Sequence, residues 1–373
     1  MQPSAVRLVL PGNVRHNSGG NAYNAALVRA LDALGVPATT RTADGDWPVG
    51  GPADRSALGN LLAEPAGPGT VTLVDGLVAC GAPEQLEAAA RAGTPVWILL
   101  HMPLDGYADL EGRAVAAAAG VICSSSSAAA ELRARHGLDG AATGADTTVA
   151  VALPGTDRAG TAAGSTPPHL AMVAALLPNK SQLLFLQALT ALTDLDWTAA
   201  LVGADTADPE YAALLRAETE RLGLGARVRI PGELRWDALD AEWARTDLTL
   251  LISRAETFGM AVTESLARGI PAIIRRGTGA LEALTAGTPQ AGTPPAGPGA
   301  AGARGEEPEE DDAGLPGAAV ALAEDPAPLA ELLRRWLTEP ELRARWHATA
   351  LDARQHLPGW DATARTVLEI LGR

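Results

Sequence analysis

Two glutamates, Glu256 and Glu264, are the residues whose spacing most invites chemistry. They stand eight positions apart in Ser-Arg-Ala-Glu-Thr-Phe-Gly-Met-Ala-Val-Thr-Glu, on either side of a glycine turn. An apolar run from Leu248 to Ile252 precedes them, and another from Ile270 to Ile274 follows. Strand, polar turn, helix, strand is a βαβ unit, and ligands in such units sit beyond the carboxyl ends of the strands. Glu256 belongs at that end, and Glu264 about two turns into a helix starting near Gly259. Two carboxylates so placed suit hydroxyl groups, as on a sugar or a ribose.

Other candidates fall at the same kind of position. Lys180 follows an apolar strand and the turn Leu177-Pro178-Asn179. It could pair with a phosphate, or be a solvent lysine. Arg275 and Arg276 follow the strand Pro271 to Ile274 and add charge there, or are simply loop residues. His101 ends the strand Val96 to Leu100, where it could donate to a sugar hydroxyl or rest as a hydrogen-bonded rim residue. His16 and His169 are weaker candidates, and His136, His347 and His356 read as surface or helix-end residues. Ser18-Gly19-Gly20-Asn21 joins a strand to a helix. Glycines let a backbone approach a ligand, and a helix N-terminus favours an anion. The plainer alternative is a tight turn capped by Asn21. Gly277 to Glu282 repeats the pattern, with backbone N–H groups that could reach phosphate or only an ordinary turn.

The elements that must position these residues alternate along 373 residues, a length that suits two domains. The expected boundaries are residues 1–160 and 165–358, joined through a Gly- and Thr-rich linker at 155–168. Residues 287–312 hold too few apolar groups to pack and are expected to form a flexible insertion. Helical spacing over 360–373 closes the chain. Apolar residues make up 47% while Phe and Tyr are scarce, so Ala, Leu and Val fill the cores, with Trp used sparingly. The loops Arg41 to Gly51 and Asp105 to Gly112 are polar and glycine-containing, without a long apolar platform.

Forty-four acids against 29 bases give a net charge of −15, which excludes a nucleic-acid partner in the absence of any basic run. Two cysteines make neither a disulfide framework nor a zinc site. The opening residues run straight into a strand pattern, and no stretch reads as a membrane span. A cytoplasmic protein with no metal and no integral membrane segment is the expectation.

With these motifs together, the chain resembles a retaining glycosyltransferase of family 4, an actinobacterial-type soluble member. The likeness runs over nearly the whole length. Glu256 and Glu264 match the E-x7-E element, Gly19-Gly20 the N-terminal glycine loop, Val173 to Lys180 the lysine-bearing segment, Gly279 to Glu282 the second glycine element, and His101 the histidine near the transferred sugar. The resemblance implies a GT-B fold, two Rossmann-like domains facing each other across a cleft. The first would lie on the acceptor side, with helix 360–373 packed back on it. The second would bind the donor, a nucleotide-diphosphate sugar carrying UDP or GDP.

It further implies that His101, Glu256 and Lys180 serve the reaction. Gly19, Gly20, Lys180, Arg254, Glu256, Gly259, Met260, Glu264 and Gly279 would form the donor set, with Glu256 on sugar hydroxyls and Glu264 on the ribose. The product would keep the donor's α configuration, on a small-molecule or glycan acceptor. Two positions depart from the pattern: Ala175 stands where the family has an arginine, and Ile252 where it often has proline. Arg254, Arg275 or Arg276 could substitute for the first. A degenerate binder of nucleotide sugars, or a phosphorylase or epimerase on the same fold, is the alternative reading.

Overall fold

The computed structural model describes residues 2–14, 18–138, 147–288 and 314–372. The described residues among 1–155 and 359–373 form one compact unit, and those among 156–288 and 314–358 a second. His16 and residues 289–312 of the expected insertion lie outside the described residues.

In the first unit six strands form one parallel sheet: β1 Ala5–Pro11, β2 Ala38–Ala43, β3 Thr70–Asp75, β4 Trp97–Leu100, β5 Gly120–Cys123 and β6 Thr148–Val151. Their order is β2-β1-β3-β4-β5-β6. The intervening helices are α1 Gly19–Ala33, α2 Pro52–Ala63, the single turn α3 Gly76–Ala79, α4 Pro83–Arg91, α5 Ala108–Ala117 and α6 Ser126–His136. Parallel strands need crossovers that cover the sheet, so the central strands are apolar on both faces. Val9, Val74, Ile98, Leu100 and Val121 are all buried in one core with Leu58, Leu86 and Leu132 from the helices.

The second unit repeats the plan with β7 His169–Val173, β8 Thr198–Val202, β9 Val228–Gly232, β10 Leu248–Leu251, β11 Ala272–Arg275 and β12 Gly317–Val320, in the order β12-β11-β10-β7-β8-β9. Its helices are α7 Gln182–Thr190, α8 Pro209–Arg221, α9 Asp237–Arg245, α10 Met260–Leu266, α11 Ala280–Thr285, α12 Ala327–Thr338 and α13 Pro340–His356. Trp197, Trp336 and Phe185 supply the bulk of its core among leucines. A last helix, α14 Trp360–Leu371, packs against α1 in the first unit, where Thr363 donates to the Leu153 carbonyl at 2.8 Å.

Several sequence expectations change. The glycine loop is not a loop: α1 begins at Gly19, and Ser18, not Asn21, is its cap, accepting the Asn21 N–H at 3.2 Å. The segment Arg41 to Gly51 starts as strand, since Arg41 pairs with Val9 inside β2. Asp105 to Gly112 runs into α5 at Ala108, so five residues of that expected loop are helix. The Thr-rich segment 155–168 contains no strand or helix but is held along the second unit. There Ala162 N–H donates to the Arg268 carbonyl at 2.9 Å and Ala163 N–H to that of Ala244 at 2.9 Å.

Candidate functional site

The C-terminal edge of the second sheet gathers most of the candidate residues. β7 ends at Val173, and the chain turns through a 3-10 turn, Pro178–Lys180, that presents Lys180. β10, the neighbour of β7, ends at Leu251 and leads into the turn carrying Glu256. Lys180 Nζ donates to Glu256 Oε2 at 2.8 Å, with both side chains largely buried. Ser253 Oγ donates to the same oxygen at 3.1 Å. An ammonium has three donors, so this contact leaves Lys180 able to serve an anion as well.

Backbone contacts fix the Glu256 turn. Arg254 N–H donates to the Asn179 carbonyl at 2.7 Å, tying the two turns together, and Gly279 N–H donates to the Glu256 carbonyl at 2.8 Å. Gly279 has to be glycine: a Cβ there would lie 1.9 Å from the Thr257 carbonyl oxygen. Gly259 caps α10 with φ +95, and its missing Cβ leaves room for Leu251 Cδ2. Met260 opens the helix. Because α10 starts at Met260, Glu264 stands just over one turn in, not two.

Glu264 is half-buried. No group among the described residues donates to its carboxylate, while its backbone carbonyl accepts from Arg268 Nη1 at 3.0 Å. Burial pushes its pKa up to about 7, opposed by the Arg268 charge and reinforced by Asp157.

Of the three arginines considered for the gap at Ala175, Arg275 is the one whose side chain reaches the lysine turn. It is buried, donating to the Ile252 carbonyl at 3.0 Å, to the Leu322 carbonyl and to Ser181 Oγ at 3.2 Å. Burial, followed by the Arg254 charge, lowers its pKa from the usual guanidinium range. Arg254 instead pairs with Glu324 at 2.9 Å, and Arg276 binds the Ala319 carbonyl.

His101 belongs to the first unit and stands just after β4, as the sequence placed it. Its Nε2 lies 3.0 Å from Asn24 Oδ1 and 3.6 Å from Asp75 Oδ2. Asn24 Nδ2 donates to the same Asp75 oxygen at 2.8 Å. Burial lowers the His101 pKa, with Asp75 acting in the other direction, so the ring is neutral near pH 7. Two acceptors beside Nε2 assign it the proton. In this tautomer the donor is engaged with Asn24 and the remaining Nδ1 is an acceptor. Gly20 serves this ring, since a Cβ there would come 2.9 Å from His101 Cδ2, whereas a Cβ on Gly19 would meet nothing within 4 Å. Asn24 and Asp75 escaped the sequence reading. The available signal was a polar residue inside the apolar stripe of α1, where Asn24 is 1% exposed.

The other histidines lie elsewhere. His169 starts β7 at the opposite end from Lys180, its Nε2 2.8 Å from Glu242 and its Nδ1 2.7 Å from Thr198. His136 is the last residue of α6, as expected of a helix-end histidine, and its Nε2 lies 2.8 Å from the fully buried Glu111. No group of three or more potential metal ligands occurs among the described residues.

Comparison with known proteins bears on the family and the fold. Residues 155–300 match the model of the family described as glycosyl transferases group 1. No curated protein matches. Among solved structures, Anabaena HepE in complex with UDP and glucose is 16% identical with a TM-score of 0.66, covering 98% of this chain and 99% of that one. Sucrose-phosphate synthase of Thermosynechococcus elongatus is 15% identical with a TM-score of 0.71, covering 98% of each chain. A UDP-forming trehalose-phosphate synthase of Burkholderia xenovorans is 14% identical at 0.66, covering 99% of each. The fold is GT-B, with two Rossmann-like units. Residues 155–300 form a group 1 glycosyl transferase domain, and the chain that carries it is classed with the glycosyltransferases.

Proposed function

We propose that the chain is a retaining glycosyltransferase that moves a sugar from a nucleoside diphosphate sugar to a hydroxyl-bearing small molecule or glycan. One observation carries this reading. Lys180 and Glu256 pair at the C-terminal ends of the adjacent strands β7 and β10, with Glu264 in the helix α10 that follows, inside the segment that matches the glycosyl transferase model. A cation beside backbone N–H groups suits a diphosphate, and the two carboxylates suit the hydroxyls on either side of it. Lys180 and the N–H groups of the glycine turns hold the diphosphate. Glu256 accepts from the sugar hydroxyls and Glu264 from the ribose. Arg254, Gly259, Met260 and Gly279 shape the same pocket, and buried Arg275 adds positive field behind the lysine.

In the transfer, the bond from the anomeric carbon to the diphosphate oxygen breaks and the bond to the acceptor oxygen forms on the same face. The acceptor's proton passes to the departing phosphate oxygen. By the resemblance, His101 serves the reaction, Gly19 and Gly20 belong to the donor set, and the first unit takes the acceptor.

UDP is the favoured nucleotide, supported by the HepE complex with UDP, and GDP is the other candidate. A soluble acceptor in the cytoplasm is favoured by the net charge of −15, which is repelled by anionic membranes. In addition, no described helix is long and apolar enough to cross a membrane. The test is a thermal-shift and hydrolysis screen of UDP-, GDP-, ADP- and dTDP-sugars, followed by NMR of the product's anomeric proton. Stabilisation by one sugar nucleotide and an α-linked product are expected. No stabilisation by any of them, or a β-linked product from an α-linked donor, rejects the proposal.

A further inference from the structure

A cavity of about 380 Å³ lies in the first unit, lined by Gly50, Pro52, Arg55, Glu84 and Gln85. None of these residues belongs to the candidate donor site. They come from the turn that leads into α2 and from the first turns of α2 and α4. The volume is that of an ordinary small-molecule site.

Backbone contacts fix the walls. Asp54 Oδ2 accepts the Gly51 N–H at 2.7 Å, which holds the turn to α2, and Arg55 Nε donates to the Val49 carbonyl at 2.9 Å. Trp47 is buried below that turn, its indole N–H donating to the Ala43 carbonyl at 2.9 Å. Gly81, two residues before α4, stands so close to Pro48 that a Cβ would come 1.2 Å from its carbonyl oxygen. The turn into α2 and the turn into α4 are therefore packed on each other.

The polar groups on these walls are incompletely paired. Arg55 Nη1 stands 3.8 Å from Glu84 Oε2, beyond hydrogen-bond range. With Nε given to Val49, the terminal donors of the guanidinium have no acceptor among the described residues. Glu84 Oε1 accepts from Arg113 at 2.9 Å, while Glu84 Oε2 and Gln85 Oε1 are buried and receive no hydrogen bond. Buried acceptors without donors, beside donors without acceptors, are a cost that a hydroxyl removes, because it both gives and takes a hydrogen bond. One positive and one negative side chain leave the lining without net charge, and an anion would meet the Glu84 carboxylate.

We propose that this cavity binds a neutral, hydroxyl-rich ligand of the saccharide or cyclitol class. Helix α2 follows β2, and α4 follows β3 through α3, so both helices start from the edge of the parallel sheet on which His101 follows β4. On the transferase reading the ligand is the acceptor. That role rests on the reading, whereas the binding itself does not.

The test is NMR titration of glucose, myo-inositol, maltose, glucose 6-phosphate and inorganic phosphate into the full chain, read at the backbone amides of Gly50, Arg55, Glu84 and Gln85. At least one neutral probe should shift these amides. Glu84→Gln should weaken that probe about fivefold or more, since a charged acceptor becomes a neutral one, and Gln85→Leu about two- to tenfold. Arg113→Ala removes the outer partner of Glu84 without touching the lining and should bind like the wild type. Absence of any shift with the neutral probes overturns the proposal. So does unchanged affinity in both Glu84→Gln and Gln85→Leu, or tighter binding of glucose 6-phosphate than of glucose, which marks an anion site. If a neutral probe binds here and no sugar nucleotide binds the chain, the cavity keeps its ligand class and the acceptor role falls with the transferase reading. If a sugar nucleotide binds and no neutral probe does, that reading stands and the cavity proposal falls.

Discussion

Glu264 carries a proton longer than an ordinary glutamate, and this has consequences for both stability and binding. Its pKa is raised from about 4.5 to about 7, mainly by burial. Between those values the folded chain binds more protons here than the unfolded chain. Stability from this group is therefore fully present below pH 4.5 and is lost as pH rises through 7. In Glu264→Gln that slope should disappear, so the variant gains on the wild type as pH climbs from 4.5 to 7 in urea titrations. Binding should follow the opposite sign. A ribose hydroxyl donates best to the ionised carboxylate, so affinity for a nucleotide sugar should strengthen through pH 7 in the wild type and stay flat in Glu264→Gln. Lys180 and Glu256 make a second prediction at this scale. Lys180→Ala removes a charge from the diphosphate and leaves the largely buried Glu256 without its cation. Steady-state assays should show turnover down by about a hundredfold or more, the usual cost of losing one group that stabilises developing charge. Unaltered turnover in a folded variant would remove the lysine from the site.

At the scale of elements, two glycine-bearing turns decide where the acids point. Gly279→Ala would drive a methyl into the Thr257 carbonyl, 1.9 Å from the ideal Cβ, and into that of Glu256 at 2.9 Å. Backbone has to move, so a loss of about 1–3 kcal/mol is expected in denaturant melts. A larger proportional loss of turnover should accompany it, because Glu256 is displaced with its turn. Arg275→Ala should cost about 3 kcal/mol, since it orphans buried acceptors from three segments that the guanidinium ties to β11. These turns also show what a sequence yields to inspection. The strands beside them are continuous apolar runs, so β7, β10 and β11 could be read directly, and with them the positions of Lys180 and Glu256. By contrast, β2 is Ala-Thr-Thr-Arg-Thr-Ala, and four of its six residues are exposed, so its edge position erased the pattern of burial. Helix α1 was read as starting late because Gly19 and Gly20 suggest a loop. The physical reason for Gly20 is the His101 ring, eighty residues away in sequence, which no local pattern reveals.

For the molecule as a whole, the unusual feature is that the first unit is built from two separated stretches of chain. After the entire second unit, α14 returns to cover α1. Its Ala364, Val367, Leu368, Ile370 and Leu371 are buried, and Trp360 meets the Tyr23 ring edge-on at 5.4 Å. Tyr23 in turn packs against His101 and donates to the Ala152 carbonyl at 2.9 Å, so the helix supports residues close to the candidate histidine. Four large aliphatic side chains at about 1.5–3 kcal/mol each are comparable to the whole stability of a typical domain. Ending the chain at Pro358 should therefore unfold the first unit and leave the second, whose core receives nothing from α14, in place. Limited proteolysis of that deletion should leave a resistant fragment beginning near Thr156, and the melting curve should lose one of its components. Transfer should vanish while UDP still binds, because the residues assigned to the nucleotide, Gly19 and Gly20 apart, lie between Lys180 and Gly279 in the second unit. A deletion that melts like the full chain would show α14 to be a cover the fold can spare. One that loses nucleotide binding along with its first unit would show that the donor site does not stand on the second unit alone.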